Sequence, residues 1–147
     1  MALKPPPRKI PQSILQDPEA GAFVRELIDS VYQLFFFASE FNASLTQNIT
    51  AAGGITYTKR ITRVQGSGGS VTVTATPSIA PITDGKTVII QGDSDTNTLI
   101  LQDESSLANS GLALAGGANI TLGKGDALHL MYDEGDSKYY EVSRSNN

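Results

Sequence analysis

Between positions 20 and 45 the apolar residues keep an unbroken heptad rhythm. Ala20, Val24, Leu27, Val31, Leu34, Ala38, Phe41 and Leu45 follow one another at spacings of 4, 3, 4, 3, 4, 3 and 4. On an α-helix that spacing lines one face with a continuous apolar seam. Asp17 suits the N-cap, Pro18 the first helical position, and Glu19 the positive end of the helix dipole. The pattern predicts one helix from position 17, weakening past Asn42 and ending before Gly53-Gly54. Phe23, Ile28 and Phe35 widen the seam on one flank. A seam that wide suits more than two helices meeting. The other reading is an amphipathic helix laid on the chain's own β-domain. The expectation taken forward is self-association into a homotrimer through Val24, Leu27, Val31, Leu34, Phe35, Ala38 and Phe41.

The sixteen residues before the helix read as an extended arm. Pro5, Pro6, Pro7 and Pro11 favour a polyproline conformation and exclude helix. Lys4, Arg8 and Lys9 give it positive charge with no acid, and Ile10 and Ile14 give it apolar contacts. It is expected to anchor the chain on a larger particle through Lys4, Pro5, Pro6, Pro7, Arg8, Lys9, Ile10 and Ile14.

After Gly53-Gly54 the period changes to two. Ile55 to Val64 and Val71 to Thr76 alternate in the manner of strands, with the Gly-rich stretch 65–69 between them. Val88-Ile89-Ile90 and Leu99-Ile100-Leu101 look like a buried hairpin around Gly92 to Asp95. Leu112 to Leu114, Ile120 to Leu122, Leu128 to Tyr132 and Tyr139 to Val142 complete about eight short strands, the mark of a sandwich or barrel. The predicted fold class is mainly β with one long N-terminal helix: an antiparallel β-sandwich or barrel head on a helical trimerisation stalk. The predicted organisation is an arm over 1–16, a helix over 17–52 and a β-domain over 53–147.

The formal net charge of -4 argues against a general grip on nucleic acid. Residues 84–147 carry ten acids against four bases, so that end should stay solvated. With no Cys, disulfides and thiolate metal sites are ruled out. No apolar run is long enough to span a membrane, and prolines and charges stand where a signal peptide would need an apolar stretch, so cytoplasmic synthesis and folding are expected.

Five segments carry a resemblance. They are Asp84 to Gly92, Asp95 to Asp103, Ala118 to Gly123, Asp126 to Asp133, and Tyr140 to Arg144. In order and composition they resemble a β-module common in tail fibres, short tail appendages and head-decorating fibres of tailed bacteriophages. The Pro-rich lead, the Asp17-Pro18-Glu19 helix start and the seam ending in Tyr32-Gln33-Leu34-Phe35 resemble a second pattern of phage structural proteins. The resemblance implies a homotrimeric virion structural protein fixed to the particle by its N-terminus. Its partners would be other virion proteins of the tail or the capsid. The placement taken forward is a tail-attached short fibre, needle or appendage; the alternative is a capsid cement or decoration protein.

Residues able to do chemistry are sparse. His129 is the only histidine and falls in a strand on the face opposite Leu128 and Leu130, which reads as structural, since general-base work needs positioned partners. Asp93, Asp95 and Asn97 have calcium-loop spacing with Glu104 at the twelfth position, but Thr98 replaces the usual Gly and a strand pattern follows, so a solvated turn is expected. The Gly-rich stretches lack the Lys-Ser/Thr of a phosphate loop. No catalytic residue, metal or cofactor is predicted, and the chain is expected not to be an enzyme. A rival from another class is a carbohydrate-binding module, recognising host surface glycan with Tyr132, Tyr139 and Tyr140 stacked on sugar. A hydrolytic tailspike is the weakest reading, because nothing in the sequence picks out a pair of carboxylates.

Overall fold

The computed structural model describes residues 22–24, 26–31 and 44–147. The chain divides into two compact units, Met1–Phe41 and Asn42–Asn147. In the first, the described residues are helical at 22–24 and 26–31. The second contains nine strands among the described residues.

The expected fold class is corrected on two points. First, no described residue beyond Val31 is α-helical. Ser44 to Thr46 lie in neither helix nor strand, and strand β1 (Gln47–Ile49) occupies positions assigned to the helix from its periodicity. The physical reason lies in Thr46 to Thr50, where β-branched residues and Asn are mediocre helix formers, and in Ile49, which becomes buried as a strand residue. Second, the sheets are mixed and not antiparallel. β2 (Ile61–Gly66) pairs parallel with both β1 and β4 (Thr87–Gly92). β3 (Val71–Thr72) pairs parallel with β5 (Leu99–Leu101), and β6 (Leu112–Ala113) with the end strand β9 (Lys138–Ser145). Antiparallel pairing joins β5 to β7 (Ile120–Leu122), β4 to β8 (Ala127–Asp133), and β8 to β9.

The six-stranded sheet runs β1-β2-β4-β8-β9-β6 and the three-stranded sheet β3-β5-β7. The two runs 88–90 and 99–101, which read as one hairpin, therefore lie in different sheets, and the acidic stretch between them is a corner. β2 turns into β3 and β4 into β5 in the same way. Ile61 pairs with Ile89 and Val71 pairs with Leu99, the same offset of 28 residues in both sheets, so these two strand pairs are stacked coils. β7 and β8 form a third coil in the reverse direction, antiparallel to β5 and β4.

The stacked corners leave no room for side chains. A Cβ on Gly92 would sit 2.0 Å from the carbonyl oxygen of Gly123, and one on Gly66 would sit 2.2 Å from that of Gly69. Alternation then puts one face of each strand inside. Val64, Val88, Ile90, Leu128, Leu130, Tyr132 and Tyr139 from the larger sheet meet Leu99, Leu101, Ile120 and Leu122 from the smaller in one core. Ile55 and Ile79, bridged in parallel, belong to the same core.

Candidate assembly surface

In the first unit the described seam positions Leu27 and Val31 and the flank residue Phe23 face solvent, and Val24 does so only in part. Phe23 is 67% exposed, Leu27 52% and Val31 44%, while Val24 and Ile28 are half-buried. Covering large apolar groups left in water is favourable, by about 1.5–3 kcal/mol for each one fully buried. Leu34, Phe35, Ala38 and Phe41 lie outside the described residues, as do all the anchoring residues from Lys4 to Ile14. Leu45, the last seam position, stands 92% exposed just before β1. Its backbone is held on both sides: Ser44 N donates to the Ile61 carbonyl at 2.8 Å, and Thr46 Oγ1 donates to Asp93 Oδ2.

The β-unit places its polar groups in fixed hydrogen bonds. Asp103 is buried and caps two backbone amides, Ser105 N at 2.8 Å and Leu114 N at 2.7 Å. Burial alone would raise its pKa; the bonds from Ser105, Leu114 and Glu104 outweigh it and hold the carboxyl below its ordinary value. Asp126, also buried, accepts from Gly123 N and Asn147 N, each at 2.8 Å, and so ties the chain's last residue to the third corner. Sequence reasoning missed both carboxylates. The Asp103-x-Ser105 spacing of an Asx-turn was the available signal for the first.

The calcium-loop spacing dissolves on inspection. Asp93 is taken by Thr46, Asp95 accepts from Lys124 N at 2.8 Å, and Glu104 pairs with Lys138 Nζ at 2.6 Å. No cluster of three His, Cys, Asp or Glu able to hold a metal occurs among the described residues. His129 does sit on the face opposite Leu128 and Leu130, between Ile89 and Ser143 on the neighbouring strands, and its Nε2 has no hydrogen-bond partner. Of the three tyrosines proposed to stack on sugar, Tyr132 and Tyr139 are core residues packed against each other at 4.8 Å between ring centres. The Tyr139 hydroxyl donates to the Ala80 carbonyl at 2.6 Å. Only Tyr140 presents a ring outward, and its hydroxyl donates to Asp136. The acidic turn is a tight β8–β9 hairpin in which Asp136 N donates to Asp133 Oδ1 at 3.1 Å.

Among the grooves lined by described residues of the β-unit, two are large. One, of about 550 Å³, is lined by Pro77, Ile79, Glu104, Asn109, Lys138 and Tyr139, and holds the Glu104–Lys138 ion pair. The other, of about 510 Å³, runs between β7 and the end of β9 past Thr121, Gly123, Asp126, Arg144 and Asn146. Beside it Glu141 accepts from Arg144 Nε at 2.6 Å and from Ala115 N at 2.8 Å. The Arg144 bond holds that carboxyl below the ordinary range against the opposing effect of burial. Among the described residues no helix is long and apolar enough to cross a membrane. Compared with known proteins, the chain matches no family model, no curated protein and no solved structure.

Proposed function

We propose that the chain is a non-enzymatic structural protein of a tailed bacteriophage particle, a homotrimer anchored by its N-terminal arm as a short tail-attached fibre or appendage. The observation that carries the reading is the row Phe23, Leu27 and Val31, apolar and solvent-facing on a helix whose sequence keeps heptad spacing on both sides. Identical chains are the simplest partners for such a seam, since each offers the same knobs and holes. The β-unit adds support. Each of the five phage-like segments contains all or most of one strand: Asp84 to Gly92 holds β4, Asp95 to Asp103 β5, Ala118 to Gly123 β7, Asp126 to Asp133 β8, and Tyr140 to Arg144 most of β9. A small unit whose buried carboxylates serve backbone amides suits a load-bearing part. The glycan-binding alternative loses ground because two of its three rings are core.

Replacing Leu27 and Leu34 together by Asp puts six carboxylates into a trimeric seam. The expected product is monomeric or insoluble, and a retained trimer by light scattering overturns the reading. Copy number per particle, by gel densitometry against the major capsid protein, tests the placement. A few copies support the tail; hundreds would assign the chain to the shell as a decoration protein.

A further inference from the structure

His129 is the chain's only histidine, and it stands where the β8–β9 join is irregular. The register slips between His129 and Leu130. Leu130 pairs with Glu141 and His129 with Ser143, so Val142 is left over as a bulge. The histidine Nε2 is buried and has no hydrogen-bond partner. A neutral imidazole tolerates this, since one of its ring nitrogens is a bare acceptor. Protonation turns Nε2 into a charged donor with nothing to donate to. A buried charge without a partner costs far more than a buried neutral group.

Among the described residues of the flanking strands, no carboxylate is placed to offset that charge. On β4 the residue opposite is Ile89, with Thr87 and Gln91 beside it on the same face, and Ile61 of β2 continues the row. On β9 the residue opposite is Ser143. Tyr140 is the titratable side chain next along that face, and its hydroxyl is committed to Asp136. Glu141 and Arg144 pair with each other and stand opposite the buried Leu130 and Leu128, on the other face. On β8 itself the nearest charge on the same face is Asp133, four residues on and opposite Lys138.

Water must reach Nε2 to relieve the charge, and the two flanking strands resist unequally. β4 is held by β2 on one side and β8 on the other. β9 is held on both sides only at Tyr139 and Tyr140, where β6 joins it; from Ser143 onward it pairs with β8 alone. Residues 142–147 are exposed. The tail is tied down by Asn147, whose N donates to Asp126 Oδ1 at 2.8 Å and whose Nδ2 donates to the Gly125 carbonyl at 2.7 Å. A short, exposed, singly paired stretch is the part of a sheet that opens most cheaply.

We propose that His129 is an acid-operated latch: when it takes a proton, β9 unzips beyond its bulge, from Ser143 to Asn147, while the rest of the sheet stays closed. Histidine is the side chain whose ordinary titration falls between about pH 5 and pH 8. With one histidine in the chain, that window among side chains belongs to His129. The open segment leaves the imidazole free to bind a proton in water, and the closed one does not. The closed form is therefore favoured above the histidine range and loses ground as pH falls through it. The carboxylates of Asp103 and Glu141 are held below their ordinary values and stay outside the window.

Hydrogen exchange read by mass spectrometry on the full chain tests the latch, at about pH 7.5 and about pH 5.5, with intrinsic exchange rates divided out. The native protein is compared with His129→Gln and His129→Leu. The native protein is expected to lose protection over 143–147 by about tenfold or more at the lower pH, the factor set by one buried polar group without a partner, while β4 keeps its protection. Both variants should hold at the lower pH the protection they show at the higher. Native protection that does not change, or that falls equally in the variants, overturns the proposal, and so does a loss that extends to β4. Should neither variant fold, the native protein still decides. Its single histidine gives one imidazole resonance, whose titration midpoint must coincide with that of the lost protection, and two separate midpoints overturn the latch.

Discussion

Asp103→Asn removes one negative oxygen from a buried site and leaves the shape almost unchanged. In the native protein the two carboxylate oxygens accept from Ser105 N at 2.8 Å and Leu114 N at 2.7 Å. They fix both ends of the excursion between β5 and β6. An asparagine keeps one acceptor and turns its NH₂ toward the other amide, so one buried N–H loses its bond and faces a donor. A hydrogen bond to a charged group contributes about 1.5–3 kcal/mol, and an orphaned buried N–H costs a similar amount. The expected loss is about 2–3 kcal/mol. For a unit of this size, with an m-value of about 1–3 kcal/mol per M, that lowers the urea midpoint by about 1–2 M. The carboxyl also makes stability depend on pH. Its folded pKa lies below its ordinary 3.8, so the folded state binds fewer protons than the unfolded one between the two values. The contribution is fully present above the unfolded pKa and is lost as pH falls through the folded one. Urea melts of both proteins at pH 7 and across the acid range measure both effects. A variant with an unchanged midpoint, or one whose acid limb is as steep as that of the native protein, refutes this role for Asp103.

Gly92→Ala drives a methyl group to 2.0 Å from the Gly123 carbonyl oxygen, where backbone and not a flexible side chain must yield. A loss of about 3 kcal/mol or more is expected by chemical denaturation, and a variant as stable as the native chain contradicts the stacked corners. Tyr139→Phe strips the donor from the Ala80 carbonyl and should cost about 1 kcal/mol at neutral pH. Burial raises the Tyr139 phenol far above its ordinary 10, so its folded form keeps the proton longer. Its stabilisation holds below pH 10 and fades as pH rises beyond that. The Phe variant should therefore lose less stability than the native protein above pH 10, as thermal melts would show.

Most strand positions were legible from alternation and β-branching. Leu99 and Leu101, and Leu128, Leu130 and Tyr132, turn inside as period two requires, while Met131 faces outward. The β8–β9 hairpin was legible too, because Asp133 to Ser137 is a turn of hairpin length. Strand direction was not. An alternating run says which face is buried but not which neighbour it meets, and Gly66 to Ser70 reads equally well as a hairpin turn or as a corner between sheets. Gly66 and Gly92, closed off by the Gly69 and Gly123 carbonyls, mark the corners, and that closure is invisible in sequence. The helix was overextended because Leu45 continues the 3–4 count by position alone. Its neighbours Ser44 and Thr46 instead hydrogen-bond to β2 and to Asp93. Spacing cannot distinguish a seam residue from an exposed leucine beside a strand.

The mass of the full chain in solution decides whether identical copies meet at all. Light scattering at micromolar concentration should return three times the 15.6 kDa of a single chain. A single-chain mass that persists as the protein is concentrated would mean that Phe23, Leu27 and Val31 have no partner among their own copies, and the assembly role would fall with it.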